Sequence, residues 1–515
     1  MTSDSPAGAG FEDPSSRQSP HARFGTAAPD RWFFPWLVAL LFGLLVPRIY
    51  LMVQARAALI DSDEAITGLM ARHILQGHIP IWLYGISYQG SLEAFSAAAL
   101  FSVFGATPLM LKVEATCWFC GFVWSHYLFA REVTSRTAAR WSTLAVAASP
   151  VFLAIWSVSV IGTYMSTLCL GTLALWLAAR MLRRGMSAGQ LGWLGFVLGL
   201  AWWTFPLAIL YIVPIGLLLL VRGRRELVSR MALALPVGFL LGSLPFWPYN
   251  LTHKLESLRV RSQIPHAEAT VGTAVSGLIR RGTPILLGAR PSHGTSDFFP
   301  FASVLTVTVT AAVGVLALRR YLRERRLAPW SVDGRDLAFA MGGWALFVYI
   351  ASGWGYNAEE PRYLIPLYSV LYIVLLFGIR TRYQAVLASA LVAMNVLGTV
   401  SPSVSLATPL NPEPTGELVS FLKAHNVRTA YAPYWTAYRL AFESGESVIV
   451  SPPPNDLVRY TPYLDQVRAD PAPAYVQLDR NRYKEMQNPL RPPAGYSMTR
   501  VGNFEVFLPG TRSGG

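Results

Sequence analysis

Apolar residues recur along this chain in runs about as long as a helix that crosses a bilayer. They lie near residues 32–53, 108–130, 141–158, 160–179, 190–204, 206–221, 231–248, 298–318, 336–352, 362–379 and 384–400. An α-helix needs about 20 such residues to span a hydrocarbon core about 30 Å thick. The pattern therefore predicts an α-helical integral membrane protein, with 32–400 forming a multi-pass domain of about 11 transmembrane helices. The connectors between the runs alternate in charge. Arginines gather as Arg131, Arg136 and Arg140; Arg180, Arg183 and Arg184; Arg222, Arg224, Arg225 and Arg230; Arg319, Arg320, Arg323, Arg325 and Arg326; and Arg380 and Arg382. Every second connector is thus basic, which the positive-inside rule assigns to the cytoplasm.

With the N-terminus inside, three stretches fall outside: the loop 54–107, the loop 249–297 and the tail 401–515. The tail changes character. Glu417 to His425 has the spacing of an amphipathic helix, and Arg428 to Ala432, Ser447 to Val450 and Phe504 to Leu508 read as strands, so a small extracytoplasmic α/β domain is expected. Residues 1–31, rich in Ser, Pro, Ala and Gly, read as a disordered cytoplasmic tail.

Composition agrees with lipid as the main solvent. Of 515 residues 53% are hydrophobic and only 14% charged, against about 25% charged in ordinary soluble domains. The net charge of +14 is spread over short connectors rather than one basic face, so no nucleic acid partner is expected. Cys117, Cys120 and Cys169 lie in apolar runs and read as packing residues.

Chemistry concentrates in the first outer loop. Asp61-Ser62-Asp63-Glu64 opens a helix with Ile66, Leu69, Met70 and Ile74 on one side, a pattern suited to lying on the membrane surface. Asp61 can cap that helix, with Glu64 three residues on as its partner. Asp63 is accounted for less fully by capping. Carboxylates crowded beside a bilayer are costly to keep ionised, and one can be tuned as a base; from the residues alone, capping and catalysis stand even. Farther on, Tyr88-Gln89-Gly90-Ser91-Leu92-Glu93 leads into an apolar run, where Glu93 is either a polar site group or an interfacial residue reaching for water.

These features, in this order, resemble the GT-C glycosyltransferases. The acidic pair after the first apolar run, the amphipathic helix and the Tyr-x-Gly segment carry the likeness. Gly242-Ser243-Leu244-Pro245 with Asn250, and Glu360-Pro361-Arg362-Tyr363-Leu364-Ile365-Pro366-Leu367-Tyr368, extend it over most of the membrane region. The nearer likeness is to the bacterial branch that includes protein O-mannosyltransferases, lipid A aminoarabinose transferases and rhizobial galacturonosyltransferases. The resemblance implies that Asp63, with Glu64 beside it, supplies the catalytic base. Ser91 departs from the pattern, because several relatives carry a lysine there that binds an anion.

Other candidates are weighed on position. Arg362 starts an apolar crossing on the outer side, where it can hold a lipid phosphate or pair with Glu359 and Glu360; Tyr363 and Tyr88 join it as substrate-binding candidates. Arg259 lies in a basic stretch of the second outer loop and is a further phosphate candidate. Arg48, near the outer end of the first run, is expected to snorkel to the interface and is kept as a substrate-binding candidate. His73 and His78 lack a clean ligand spacing, so no metal and no cofactor is expected. Tyr431, Tyr434, Trp435 and Tyr438 could stack on sugars, but core or interface packing fits them better.

The resulting expectation is an inverting transferase of the bacterial inner membrane. It would move a sugar from a polyprenyl-phosphate-linked donor to an envelope lipid, glycan or protein acceptor at the outer face. A flippase of lipid-linked sugars or a non-catalytic envelope-glycan scaffold is the alternative. After replacement of the native cysteines, a cysteine at Ser62 or Ser447 should react with an impermeant thiol reagent added to intact cells, and one at Ser229 should not. Labelling at 229 would invert the orientation.

Overall fold

The computed structural model describes residues 32–55, 60–222, 230–258, 270–292, 297–327, 332–352, 361–401, 414–479 and 490–510. The predicted tail 1–31, Arg259, and Glu359 with Glu360 lie outside the described residues.

Helices α1 (Phe33–Ala55), α2 (Ser62–Leu75), α3 (Leu92–Phe104) and α4 (Pro108–Val133) open the chain. Among the described residues, three helices are long and apolar enough to cross a membrane unaided, within Phe33–Gln54, Tyr164–Arg184 and Ala302–Leu327. Met231–Gly242 and Phe246–Thr252 together would make a fourth span, bent by 74°. Several other predicted crossings are broken. The run 141–158 divides into Arg136–Ala147 and Val151–Trp156 around Ser149 and Pro150, and 362–379 begins as a 3₁₀ helix, Arg362–Ser369, ahead of Leu371–Gly378. Hydropathy registers apolar length and does not see where a proline interrupts the backbone hydrogen bonds. The membrane core is built on Phe119, Phe122, Phe129, Leu168, Leu175, Tyr211 and Tyr368.

The C-terminal part is an α/β domain, as predicted. Its strands are β1 (Thr429–Tyr431), β2 (Ile449–Ser451), β3 (Ala474–Leu478), β4 (Tyr496–Val501) and β5 (Phe504–Pro509). They form one sheet in the order β2-β1-β3-β5-β4, with β1 parallel to β2 and β3, and β5 antiparallel to β3 and β4. Helices Gly416–Ala424, Tyr434–Glu443 and Thr461–Ala469 complete the domain.

Helix α2 departs from expectation. Its apolar side does not face lipid: Ala65, Ile66, Leu69 and Met70 are buried in one cluster with Tyr434, Ala437, Leu440, Ala441 and Phe442 of the C-terminal α/β domain. An amphipathic stripe specifies burial and leaves open what covers it; here the cover is protein. Gly68 permits the approach, because a Cβ there would sit 2.6 Å from the Phe442 ring. Arg72 seals the junction by donating to the Phe442 carbonyl at 2.7 Å and lying 4.2 Å from its ring centroid.

Candidate active site

The three clustered carboxylates have three different fates. Asp61 is the N-cap of α2 and accepts from the Glu64 N–H at 3.0 Å. Glu64 does not return the favour as a reciprocal cap. Its carboxylate is buried against Lys112 of α4, with Nζ at 2.6 and 2.8 Å from the two oxygens, and it also accepts from the Val160 N–H at 3.1 Å. Asp63 alone keeps solvent access, with a quarter of its side chain (25%) exposed.

Two residues of the C-terminal α/β domain reach Asp63. Its Oδ1 accepts from the Tyr434 hydroxyl and from Arg459 Nη2 at 3.1 Å. Among the described residues no hydrogen bond reaches Oδ2. Arg459 Nε also donates to the Tyr434 oxygen at 3.2 Å, which closes a triangle of three groups. Burial, with Asp63 adding to it, pushes the Tyr434 phenol well up, so that it stays protonated and donates. Neither residue was singled out from sequence for this role. The burial of Tyr434 agrees with the packing role its sequence position suggests, and its hydroxyl has a second use. The only available signal for Arg459 was a cation beside the Pro452-Pro453-Pro454 turn.

Several backbone contacts fix the register of this junction. Ser62 Oγ donates to the Tyr434 carbonyl at 2.6 Å. The Tyr438 hydroxyl accepts from the N–H groups of Arg459 at 2.7 Å and Tyr460 at 3.0 Å. Tyr460 stacks on Tyr84 with centroids 4.3 Å apart. Gly85 has φ +70°, and a Cβ there would fall 2.8 Å from the Arg459 Cα, so both conformation and space require glycine. Because Ser62 is buried at this junction, the exposed Ser447 is the position to use in the labelling test.

The remaining predicted residues divide. Tyr88 is half-buried; burial and Tyr363 push its hydroxyl up, while Arg459 and Arg362 pull it the other way, so these groups are electrostatic neighbours. The Arg362 guanidinium lies 5.5 Å from the Tyr363 ring centroid. Glu93 is not an interfacial residue reaching for water. It is buried and accepts from Ser166 N–H at 3.1 Å and Oγ at 2.7 Å, in the first turn of the Tyr164–Arg184 helix, where a carboxylate meets the orphan amides of a helix start.

Arg48 does not snorkel. It is 1% exposed, donates to the carbonyls of Leu44 and Ala147 at 2.6 and 3.0 Å and to Ser149 Oγ at 2.8 Å, and lies 4.0 Å from the Phe119 ring centroid. The Leu44 carbonyl one turn back and the helix end at Ala147 supply acceptors that a lipid-facing arginine would have to seek in water. His73 is held between the Tyr84 hydroxyl and Glu446, each at 2.9 Å. Among the described residues no group of three His, Cys, Asp or Glu is placed to hold a metal ion.

No protein-family model and no curated protein matches this sequence. Solved structures do match in shape. ArnT from Cupriavidus metallidurans, crystallised with undecaprenyl phosphate, aligns with TM-score 0.57 at 13% identity, covering 95% of this chain and 100% of that one. The chain has the GT-C glycosyltransferase fold. The archaeal oligosaccharyltransferase AglB from Archaeoglobus fulgidus, in complex with an inhibitory peptide and a dolichol-phosphate, aligns with TM-score 0.51 at 12% identity, covering 87% of this chain and 70% of that one. At such identities the likeness concerns the GT-C fold, and residue roles rest on this chain's own geometry.

Two stability effects follow. Burial, reinforced by Glu64 and Asp63, pushes Asp61 from 3.8 up to about 8. The folded chain then keeps a proton that the unfolded chain releases, so this contribution is complete below the unfolded value and is lost as pH rises through the folded one. Asp61→Asn keeps the capping oxygen and cannot titrate; its unfolding temperature in detergent should therefore fall less than the parent's between about pH 5 and about pH 8. Equal slopes would remove Asp61 from the account. Lys112→Met leaves the Glu64 carboxylate uncompensated and should cost about 3–5 kcal/mol, most of which Lys112→Met with Glu64→Gln should recover, as read from unfolding midpoints.

Proposed function

We propose that this chain is an inverting glycosyltransferase that uses a polyprenyl-phosphate-linked sugar, with Asp63 as its general base. The observation that carries the reading is the division of labour within the acidic cluster. Asp61 and Glu64 are occupied by α2 and Lys112, whereas Asp63 is accessible, oriented, and has an oxygen to spare. Tyr88, Arg362 and Tyr363 lie in the same neighbourhood.

In the proposed step an acceptor hydroxyl gives its proton to Asp63 Oδ2. The acceptor oxygen bonds to the anomeric carbon from the face opposite the phosphate. The carbon–oxygen bond to the phosphate breaks, and its electron pair leaves with polyprenyl phosphate, so the anomeric configuration inverts. Arg362 can meet two phosphate oxygens with its planar fork as negative charge grows there. The bound undecaprenyl phosphate of ArnT and dolichol-phosphate of AglB support a lipid-phosphate donor. The basic connectors support placing the chain in a bacterial inner membrane with N-terminus inside and the α/β domain outside, next to envelope lipid, glycan or protein acceptors.

The test is release of polyprenyl phosphate by purified protein offered polyprenyl phosphates carrying radiolabelled hexoses or pentoses. General-base assistance contributes about 10²- to 10⁴-fold, so Asp63→Asn should lose turnover by that order with folding intact. Near-normal turnover in this variant would sink the assignment. Arg362→Lys should keep part of the activity and Arg362→Ala very little, in turnover as well as donor affinity; unchanged donor kinetics in a folded Arg362→Ala protein would exclude the phosphate role.

A further inference from the structure

We propose that the outer α/β domain completes the active site: Tyr434 and Arg459 are positioning residues that hold Oδ1 of Asp63 and leave Oδ2 as the proton acceptor. This inference rests on the reading of Asp63 as the base.

A carboxylate at the start of a helix has two soft side-chain torsions, and a base that swings away from the acceptor hydroxyl loses most of its value. A displacement of about 1 Å can cost about 10²-fold. Here the Tyr434 hydroxyl and the Arg459 guanidinium bind the same oxygen, and Arg459 also binds Tyr434. Three groups in mutual contact fix the carboxylate plane more firmly than one donor would. The arrangement has a chemical sense as well. Donors on Oδ1 make it the poorer base, and the proton is directed to Oδ2.

The two donors are themselves fixed by the fold. Tyr434 begins its helix, where its N–H donates to Asp456 at 2.9 Å and its carbonyl accepts from Ser62, the residue before Asp63. Arg459 is held at its backbone by the Tyr438 hydroxyl and pressed against Gly85. Ser62, Gly68, Arg72 and Tyr84 of the first outer loop all touch the outer domain independently of Asp63. Loss of one donor therefore leaves the domain docked. It would be hard to explain such a converging pair of donors by docking alone, since Asp63 is the one acidic residue of the cluster that packing does not consume.

The experiment uses the full chain in detergent and undecaprenyl phosphate bearing the radiolabelled sugar that the unaltered protein releases. Tyr434→Phe keeps the packed ring and removes only the hydroxyl; Arg459→Lys keeps charge and Arg459→Ala removes it. Expected are a fall in kcat of about tenfold or more for Tyr434→Phe and about 10- to 100-fold for Arg459→Ala, partial recovery in Arg459→Lys, and donor KM within about twofold of the parent. In an Asp63→Asn background neither change should lower the residual rate further, because both act through Asp63. An equal further loss in that background would mark a merely structural role and overturn the proposal. So would unchanged turnover in Tyr434→Phe and Arg459→Ala, increased turnover on freeing Asp63, or a rise in donor KM with kcat intact, which would make Arg459 a donor ligand. If instead Asp63→Asn is active, the reading of the base fails first.

Discussion

Three carboxylates within four residues cannot share one environment at the edge of a bilayer. Each group must either be compensated or keep its proton, as Asp61 does, and mutual repulsion raises the cost of leaving any of them bare and ionised. Successive helical residues are rotated by about 100°, so Asp63 and Glu64 leave α2 in different directions while Asp61 remains at its cap. That geometry lets three separate partners serve them. The amide of α2 takes Asp61, the buried ammonium of Lys112 takes Glu64, and two donors of another domain take Asp63. Much of the junction follows from the need to bring those partners in.

The same constraint explains why the C-terminal α/β domain is not a loose appendage. One apolar cluster runs from Ile60 and Met70 through Ala97 and Phe101 to Phe442, Val450 and Val506, so the first loop and the sheet domain share a core. A carboxylate at this boundary can be held by donors from both sides while one face stays open, which a site within a single helix bundle cannot offer as readily. Glu93 and Arg48 use the opposite solution. Both are ionisable groups taken fully inside, where helix amides and carbonyls answer them, and they bind parts of the fold together.

Legibility in the sequence followed the range of the forces involved. Apolar length and arginine spacing are local, and they conveyed a helical membrane domain followed by an α/β tail. The helix cap at Asp61 was equally local and was readable. What escaped were pairings across hundreds of residues: Glu64 with Lys112, and Asp63 with Tyr434 and Arg459. Lys112 did leave a trace, since a lysine inside an apolar run implies a buried partner. Tyr434 left none, because a phenol that packs and a phenol that donates look alike in sequence. The amphipathic face of α2 was recognised and its partner mistaken, as periodicity carries no information on whether lipid or protein covers it.

The departure at Ser91 has a structural counterpart. Relatives with a lysine there would place an ammonium in the first loop, whereas the Ser91 hydroxyl is turned inward, donating to the Pro80 carbonyl at 2.5 Å and lying 3.2 Å from that of Ile81. It holds the loop and supplies no charge. Cations near Asp63 come instead from elsewhere in the chain: Arg459 touches it directly, and Tyr88 responds to Arg459 and Arg362 together. Guanidinium groups are planar, permanently charged and less strongly hydrated than an ammonium, so the exchange alters geometry as well as position. Arg459, the cation that touches Asp63, brings positive charge there only while the C-terminal α/β domain is docked against the first loop. The closeness of that docking, set at Gly68 and Gly85, is therefore also a condition on the electrostatics of the site.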